Sequence, residues 1–353
     1  MSEHEHKPKI GITIGDFNGV GPEIIIKAFT DNQMLQICTP VIYGSSKVLS
    51  FYRKLMNSAE FNYNTIRSSK EIIHKKVNVI NCWDEEVKVE PGQASAVAGQ
   101  YAFRALEQAT NDLQQGVLDA MVTAPIDKNT IQSDSFRFPG HTEYLAEKFN
   151  VKDFVMILAS GNLRVATVTG HIPVGKVSES LSTDKIIKKI QIVNDTLKRD
   201  FGVRKPRIAV LGLNPHAGDN GLLGKEEEQY IIPAIKQLAD QKMTVFGPYA
   251  ADGFFASQAY RKFDAVIAMY HDQGLIPFKT IAFNSGINFT GGLPVIRTSP
   301  DHGTAYDIAG KGIASEDSLR EAIYVAIDLL RNRNIYNEVN ANPLAFSKMG
   351  GDR

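Results

Sequence analysis

The chain has 353 residues, 43% of them apolar, which is enough for a full globular core and too many for one small domain. Lys plus Arg equals Asp plus Glu at 39 each, so charge gives no reason to expect nucleic acid or an anionic membrane as partner. Two cysteines, Cys38 and Cys82, make neither a Cys-x-x-Cys pair nor a disulfide framework, and a reducing, cytoplasmic setting is expected.

The N-terminal Met1-Ser-Glu-His-Glu-His-Lys is polar and lacks the apolar core of a signal peptide; His4 and His6 read as part of a solvated end. Strand and helix signals then alternate, which predicts an α/β fold. Lys9 to Ile14 reads as a strand, followed by the turn Gly15-Asp-Phe-Asn-Gly-Val-Gly21 and a helix opened by Pro22 and Glu23. Val41 to Tyr43 and Val77 to Ile80 read as strands. Ala94, Val97, Ala98, Tyr101, Ala105, Ala109 and Leu113 mark one face of a long helix. Ala120 to Thr123 is a strand, and His141 to Phe149 a short helix with Thr142 as a plausible N-cap. Leu163 to Val168, Ile208 to Leu213 and Ala265 to Tyr270 read as buried strands. Ser182 to Phe201 and Lys225 to Gln241 read as helices, and a last helix runs from about Glu316 to Arg331 behind Ser315 as N-cap. Gly274 to Gly312 is Gly-rich and poor in helical periodicity, and reads as a long functional loop.

Three histidines follow three of those strands: His171 in Thr169-Gly-His171, His216 in Asn214-Pro-His216, and His271 in Tyr270-His271-Asp272. Ligands in open α/β sheets bind beyond the carboxyl ends of strands. Three imidazoles at one sheet edge would give a three-nitrogen metal site with a position left open, suited to zinc, cobalt, manganese or iron. Lys279, Asn288, Thr290, Arg297 and Thr298 cluster after His271. Together with His141 and the amides of its helix they suit capture of a phosphate and a carboxylate. Gly15 to Gly21 fits neither Gly-x-Gly-x-x-Gly nor the P-loop. Its amides face an anion, or its glycines serve a tight turn; the sequence leaves both open. Lys225 to Glu228 reads as solvated surface charge. In Asp301-His302-Gly-Thr-Ala-Tyr-Asp307-Ile-Ala-Gly310, small residues allow close backbone approach, and Asp307 can accept hydrogen bonds.

Taken together, Thr123-Ala-Pro-Ile-Asp-Lys128, Pro139-Gly-His-Thr-Glu143, Gly170-His171, Leu213-Asn-Pro-His-Ala-Gly218, Tyr270-His-Asp-Gln-Gly274, Gly292-Leu-Pro-Val-Ile-Arg-Thr-Ser299 and Asp301-His-Gly-Thr-Ala305 resemble the 4-hydroxythreonine-4-phosphate dehydrogenase family, the NAD-dependent oxidative decarboxylases of vitamin B6 synthesis. The resemblance covers nearly the whole chain. The His302 to Gly310 segment also looks like the adenosine-binding loop of isocitrate and isopropylmalate dehydrogenases, which bind NAD without a Rossmann fingerprint. Two positions depart from the pattern. Phe17 stands where the family usually has Pro, and Asn284-Ser285-Gly286 where it usually has Gly-Arg-Gly.

The resemblance implies a two-lobed isocitrate/isopropylmalate dehydrogenase-like α/β/α fold with the active site in the interlobe cleft, one lobe from residues 1–135 with 300–353, the other from 136–299. It implies His171, His216 and His271 as metal ligands (Zn, Co, Mg or Mn), in a site shared across a homodimer. It implies His141, Thr142, Lys279, Asn288 and Arg297 on the substrate, and His302, Gly303, Thr304, Ala305 and Asp307 on NAD, with NADP an option. Lys279, Asp252 and Asp272 are the candidate proton acceptors. The implied substrate is 4-phosphooxy-L-threonine. Rival expectations are a sister dehydrogenase of 4-phospho-D-threonate or 4-phospho-D-erythronate and, in another class, a metal-dependent phosphoester hydrolase.

Overall fold

The computed structural model describes residues 7–283 and 285–342; His4, His6 and Asn284 lie outside them. The strands, in chain order, are β1 (Lys9–Thr13), β2 (Thr39–Gly44), β3 (Asn64–Ile66), β4 (Asn78–Asn81), β5 (Ala120–Thr123), β6 (Val155–Ser160), β7 (Leu163–Thr167), β8 (Arg207–Leu211), β9 (Thr244–Tyr249), β10 (Ala265–Ala268), β11 (Ile287–Gly291) and β12 (Arg297–Pro300). The helices are α1 (Gly21–Thr30), α2 (Ser46–Leu55), α3 (Ala96–Gln114), α4 (His141–Lys148), α5 (Thr183–Arg199), α6 (Ile232–Asp240), α7 (Ala251–Ala256), α8 (His271–Ala282) and α9 (Asp317–Ala341). Among the described residues no helix is long and apolar enough to cross a membrane.

Among the described residues, twelve strands form one sheet in the order β3-β4-β2-β1-β5-β12-β11-β6-β7-β10-β8-β9. The chain is a mixed α/β fold, as the alternating signals predict. Strands β2 and β5 are buried throughout and β1 from Ile10 onward, the pattern of parallel strands covered on both faces. Strand β12 runs parallel to β5, β11 antiparallel to β12 and β6, and β6 antiparallel to β7. Two parallel blocks therefore run in opposite senses, with β11 and β6 as the reversal between them.

The helices form for local reasons and hold for tertiary ones. Ser95 caps α3, its Oγ accepting from the Ala98 amide, and Ser182 caps α5, its Oγ accepting from the Lys185 amide. Along α5, Ile186, Ile190, Val193 and Leu197 are fully buried, each contributing about 1.5–3 kcal/mol relative to exposure. The following Asp200, 0% exposed, accepts from Arg199 through both oxygens and from Arg333 Nε at 2.7 Å, tying α5 to α9.

Several sequence expectations need correcting. Gly274 to Gly312 is not a long loop: α8, β11 and β12 occupy much of it. Gly274 and Pro277 blur the helical period there. Burial of Leu275, Phe278 and Ala282 under β7 and β10 overrides that weak local propensity. Lys225 to Gln241 is helical as expected, but its first part is a π-turn over Glu227–Ile231 that runs directly into α6. Pro233 lacks the amide that would bond the Gln229 carbonyl in an uninterrupted α-helix. Gly140, not Thr142, stands at the N-cap of α4. Glu316 stands at that of α9, although Ser315 Oγ still accepts from the Asp317 amide. Strand β6 is unanticipated; the signal was the apolar run Val155-Met-Ile-Leu-Ala159 between Asp153 and Gly161.

Replacing Asp200 with Ala strands the buried Arg333 guanidinium, and the loss of stability is expected to be about 3 kcal/mol. Urea unfolding of the two proteins checks this; a midpoint unchanged within error rules out the role given to Asp200.

Candidate active site

A cleft of about 710 Å³ lies across one face of the sheet where its direction reverses. Alternate residues of a strand point to one face. Met156 and Leu158 of β6, Asn288 of β11, and Arg297 and Ser299 of β12 reach the cleft in this way. Thr123 to Ile126 after β5, Gly140 to Glu143 at the start of α4, Gly170 and His171 after β7, and His271 and Asp272 at the start of α8 complete its walls, with Asp301 to Gly303 beyond β12.

Arg297 is 3% exposed. Its Nε and Nη2 donate to Thr123 Oγ1 at 3.1 and 2.6 Å. Burial pushes its pKa down to about 10, while Glu143 pulls the other way. A guanidinium has five donors and no way to lose its charge near neutrality, so such a site invites an anion. Among the described residues, His141 Nε2, Asn288 Oδ1 and His302 Nε2 are buried polar atoms with no hydrogen-bond partner, and all three residues line this cleft. Buried polar atoms left unpaired cost free energy, which a bound ligand recovers. Burial first, then Arg297 and Lys128, hold the His141 imidazole well below its usual range, so it is neutral near pH 7. Thr142 Oγ1 lies 3.3 Å from Thr290 Oγ1. Lys279 Nζ donates to the Asp301 carbonyl at 3.2 Å and sits 3.4 Å from its carboxylate, whose pKa burial raises and Lys279 lowers.

Strands β7, β10 and β8 are parallel neighbours, so His171, His271 and His216 do leave one sheet edge. Their loops are laced together. The Val168 and Thr169 amides donate to the Ala268 and Met269 carbonyls, and Gln273 donates to the Gly212 carbonyl while accepting from the Met269 amide. The rings, however, do not all meet within one chain. His171 and His271 lie together in the cleft, their centroids 5.4 Å apart. His216 lines a second cavity of about 530 Å³ with Asp252, and Asp272 borders both. Among the described residues no three His, Cys, Asp or Glu side chains form a metal-holding group. Asp272 Oδ1 lies 2.7 Å from His271 Nδ1, which directs Nε2 outward as the free nitrogen. Lys128 Nζ is 3.4 Å from His171 Nε2, and burial, then Lys128 and His271, lower the pKa of His171. Two imidazoles side by side, one already oriented by a carboxylate, suit two ligands of a borderline divalent ion.

His302 and Gly303 line the cleft, and a Cβ on Gly303 would meet nothing within 4 Å. Thr304, Ala305 and Asp307 line neither cavity. Thr304 instead packs on the first glycine loop: its carbonyl accepts from the Val20 amide, and a Cβ on Gly19 would come within 2.8 Å of it. Tyr306 donates to the fully buried Asp16 at 2.8 Å. The Gly15 to Gly21 turn thus serves as the anchor of the later loop. Sequence reasoning gave no role to Lys128, Glu143, Lys189 or Asp301, which all line the cleft, nor to Thr123, which holds Arg297. All of these but Lys189 stood inside quoted motifs.

The family model described as pyridoxal phosphate biosynthetic protein PdxA matches residues 36–326. The chain belongs to the PdxA family. The 4-hydroxythreonine-4-phosphate dehydrogenase of Bacteroides thetaiotaomicron is 52% identical over 96% of this chain and 93% of its own. The D-threonate 4-phosphate dehydrogenase of Cupriavidus necator is 40% identical over 93% of this chain and 99% of its own. The crystal structure of 4-hydroxythreonine-4-phosphate dehydrogenase from Klebsiella pneumoniae superposes with a TM-score of 0.79 at 35% identity, covering 93% of this chain and 99% of that one. This PdxA-family chain is a dehydrogenase, and such an enzyme implies a nicotinamide cofactor.

The folded-state pKa of His141 lies below its unfolded value of 6.5. Its contribution to stability is therefore complete above that value and is lost as pH falls through it toward the depressed one. Acidifying from about pH 7 to about pH 5 is expected to destabilise the protein, and His141→Gln to flatten that slope. Unfolding free energies measured at each pH decide; equal slopes in both proteins would show that His141 is not held neutral.

Proposed function

We propose that this PdxA-family dehydrogenase oxidatively decarboxylates 4-phosphooxy-L-threonine to 3-amino-2-oxopropyl phosphate and CO2, using NAD and one divalent ion, in pyridoxal phosphate synthesis in the cytoplasm. The observation that carries it is the buried Arg297 facing a cleft with three unpaired buried polar atoms, on His141, Asn288 and His302. That arrangement suits a compact substrate bearing two anionic groups and polar substituents between them. The two halves of the sheet, on either side of β12 and β11, serve as the lobes.

His171 and His271 would hold the ion in one chain. His216, with Asp252 beside it, would reach it from a second copy, which makes the homodimer part of the site. When bound, the divalent ion would supply charge stabilisation for an alcohol oxygen, and the nicotinamide would supply a hydride acceptor. The chain's own residues do the rest. Arg297 and Lys279 anchor phosphate and carboxylate, fixing the reacting carbon in place. Neutral His141 offers its ring nitrogen to the substrate without adding charge, while Thr142 and Asn288 offer hydroxyl and amide contacts. Of the candidate proton acceptors, Lys279 and Asp272 border the cleft in the same chain. Asp252 would act only across the dimer. His302 and Gly303 present the open end of the loop to the cofactor, with Thr304, Ala305 and Asp307 further along it. The β-keto acid left by oxidation then loses CO2.

One specific observation favours a second reading, oxidation of 4-phospho-D-threonate: a relative bearing that activity in its name matches the chain nearly end to end. The substrates differ by amine against hydroxyl, so a direct comparison separates them. Purified protein with NAD, a divalent ion and 4-phosphooxy-L-threonine is expected to produce NADH and CO2. NADH from the hydroxy acid alone would transfer the assignment to the sister activity, and phosphate release without NADH would overturn both. Arg297→Lys loses the bidentate fork and is expected to raise KM for the substrate roughly tenfold or more. A KM unchanged in that variant removes Arg297 from substrate binding.

A further inference from the structure

The segment that carries His216 has an unusual backbone. His216, Ala217, Gly218, Asp219, Asn220 and Gly221 all have positive φ, from 44° to 86°, so six successive residues run left-handed and four of them carry a Cβ. Residues with a Cβ visit that region singly, as a rule, because the Cβ crowds the following carbonyl. A run of them persists only where surrounding structure determines it.

What surrounds this run is one buried carboxylate. Glu227 is 2% exposed although it sits in a stretch of four charged residues, Lys225 to Glu228, that reads as surface. Its Oε1 accepts from the Leu213 and Asn214 amides at 2.7 and 2.8 Å, and its Oε2 accepts from Asn214 Nδ2 at 2.9 Å. The turn is wrapped closely around it: a Cβ on Gly218 would come within 2.6 Å of Oε2, and one on Gly212 within 3.0 Å of Oε1. The π-turn over Glu227–Ile231 is what carries this residue inward, a local widening often found at functional sites. Asn214 Nδ2 also donates to Glu226, which accepts from Ser178 Oγ, so the same amide closes the turn against a neighbouring segment.

We propose that Glu227 is a positioning residue for His216: its carboxylate gathers the two amides at the end of β8 and the Asn214 side chain, and so holds the left-handed turn that presents the imidazole. Glu227 acts through the backbone of another residue and touches neither substrate nor ion. The inference rests on the assignment of His216 as a ligand given above, and the experiment separates the two.

The intact protein is titrated with Zn2+ against a chromogenic chelator, for the wild type, Glu227→Ala, Glu227→Gln and His216→Ala. Amide hydrogen exchange of residues 213–221 is followed in the same samples without metal. Glu227→Ala is expected to weaken Zn2+ roughly tenfold or more, as outer partners of metal ligands do, and to raise exchange at Leu213 and Asn214. Glu227→Gln keeps one oxygen for the two amides and opposes an N–H2 to Asn214 Nδ2. Its affinity should fall between wild type and Glu227→Ala, and it serves as the measurable variant should Glu227→Ala fail to fold. Unchanged exchange in both Glu227 variants overturns the proposal, as does unchanged Zn2+ affinity in both where His216→Ala weakens it. Unchanged Zn2+ affinity in His216→Ala removes the ligand assignment, and with it what Glu227 is proposed to position for.

Discussion

The reversal of strand direction at the centre of the sheet is the constraint on which the site depends. In a single parallel sheet the strand ends that carry ligands all fall on one edge. Here the carboxyl end of β5 belongs to one parallel block and those of β7, β10 and β8 to the other, which runs the opposite way. No edge can collect Thr123 and His171 together. The face can, because β11 and β6 join the blocks and their alternate residues look into the same cleft as both. The two antiparallel strands therefore contribute more than continuity: they supply Asn288, Met156 and Leu158 as its floor.

Electrostatics follow from the same arrangement. The chain has no net charge, yet the cleft concentrates Lys128, Lys189, Lys279 and Arg297 against Glu143, Asp272 and Asp301. Burial works on each basic group that it reaches. It lowers the pKa of Arg297, Lys189 and the two imidazoles His141 and His171. The imidazoles are left neutral, fit to accept a cation or share a proton, while the guanidinium stays charged and fit to hold an anion. A single desolvated cleft thus separates two kinds of basic residue into two tasks.

Much of this was legible in the chain. The apolar runs gave β1, β2, β5, β7, β8 and β10, because fully buried strands write themselves as unbroken apolar stretches. Those same runs placed the three histidines at strand ends, and the topology confirms that they leave one edge. What could not be read is how the rings fall from there. His216 turns into a second cavity because its loop runs left-handed, and backbone handedness at residues other than Gly has no one-dimensional signature. Lys225 to Glu228 shows the same limit. A charge run predicts a solvated face, and Lys225 and Glu228 obey; Glu226 is half-buried, and Glu227 is buried because amides thirteen and fourteen residues earlier need its oxygens. Tertiary demand for an acceptor leaves no mark on composition.

The two glycine-bearing loops make the converse point. Gly15 to Gly21 has the strand–turn–helix setting of a phosphate loop, and its glycines allow close approach, but what approaches is protein. Thr304 packs on Gly19, Tyr306 donates to Asp16, and Glu23 accepts from the Gly310 and Ala314 amides. Asp16 and Glu23 are both fully buried, so each carboxylate was taken out of water to bond this one segment. Isolated, that desolvation would be unfavourable; it is offset only where the hydrogen bonds are well made. The outcome is a later loop pinned at Thr304, Tyr306, Gly310 and Ala314 that leaves His302 and Gly303 to face the cleft. A loop meant to meet a ligand gains from such fixing, since the ordering entropy is met on folding and not again on binding. The first loop thus acts on the second by holding it in place.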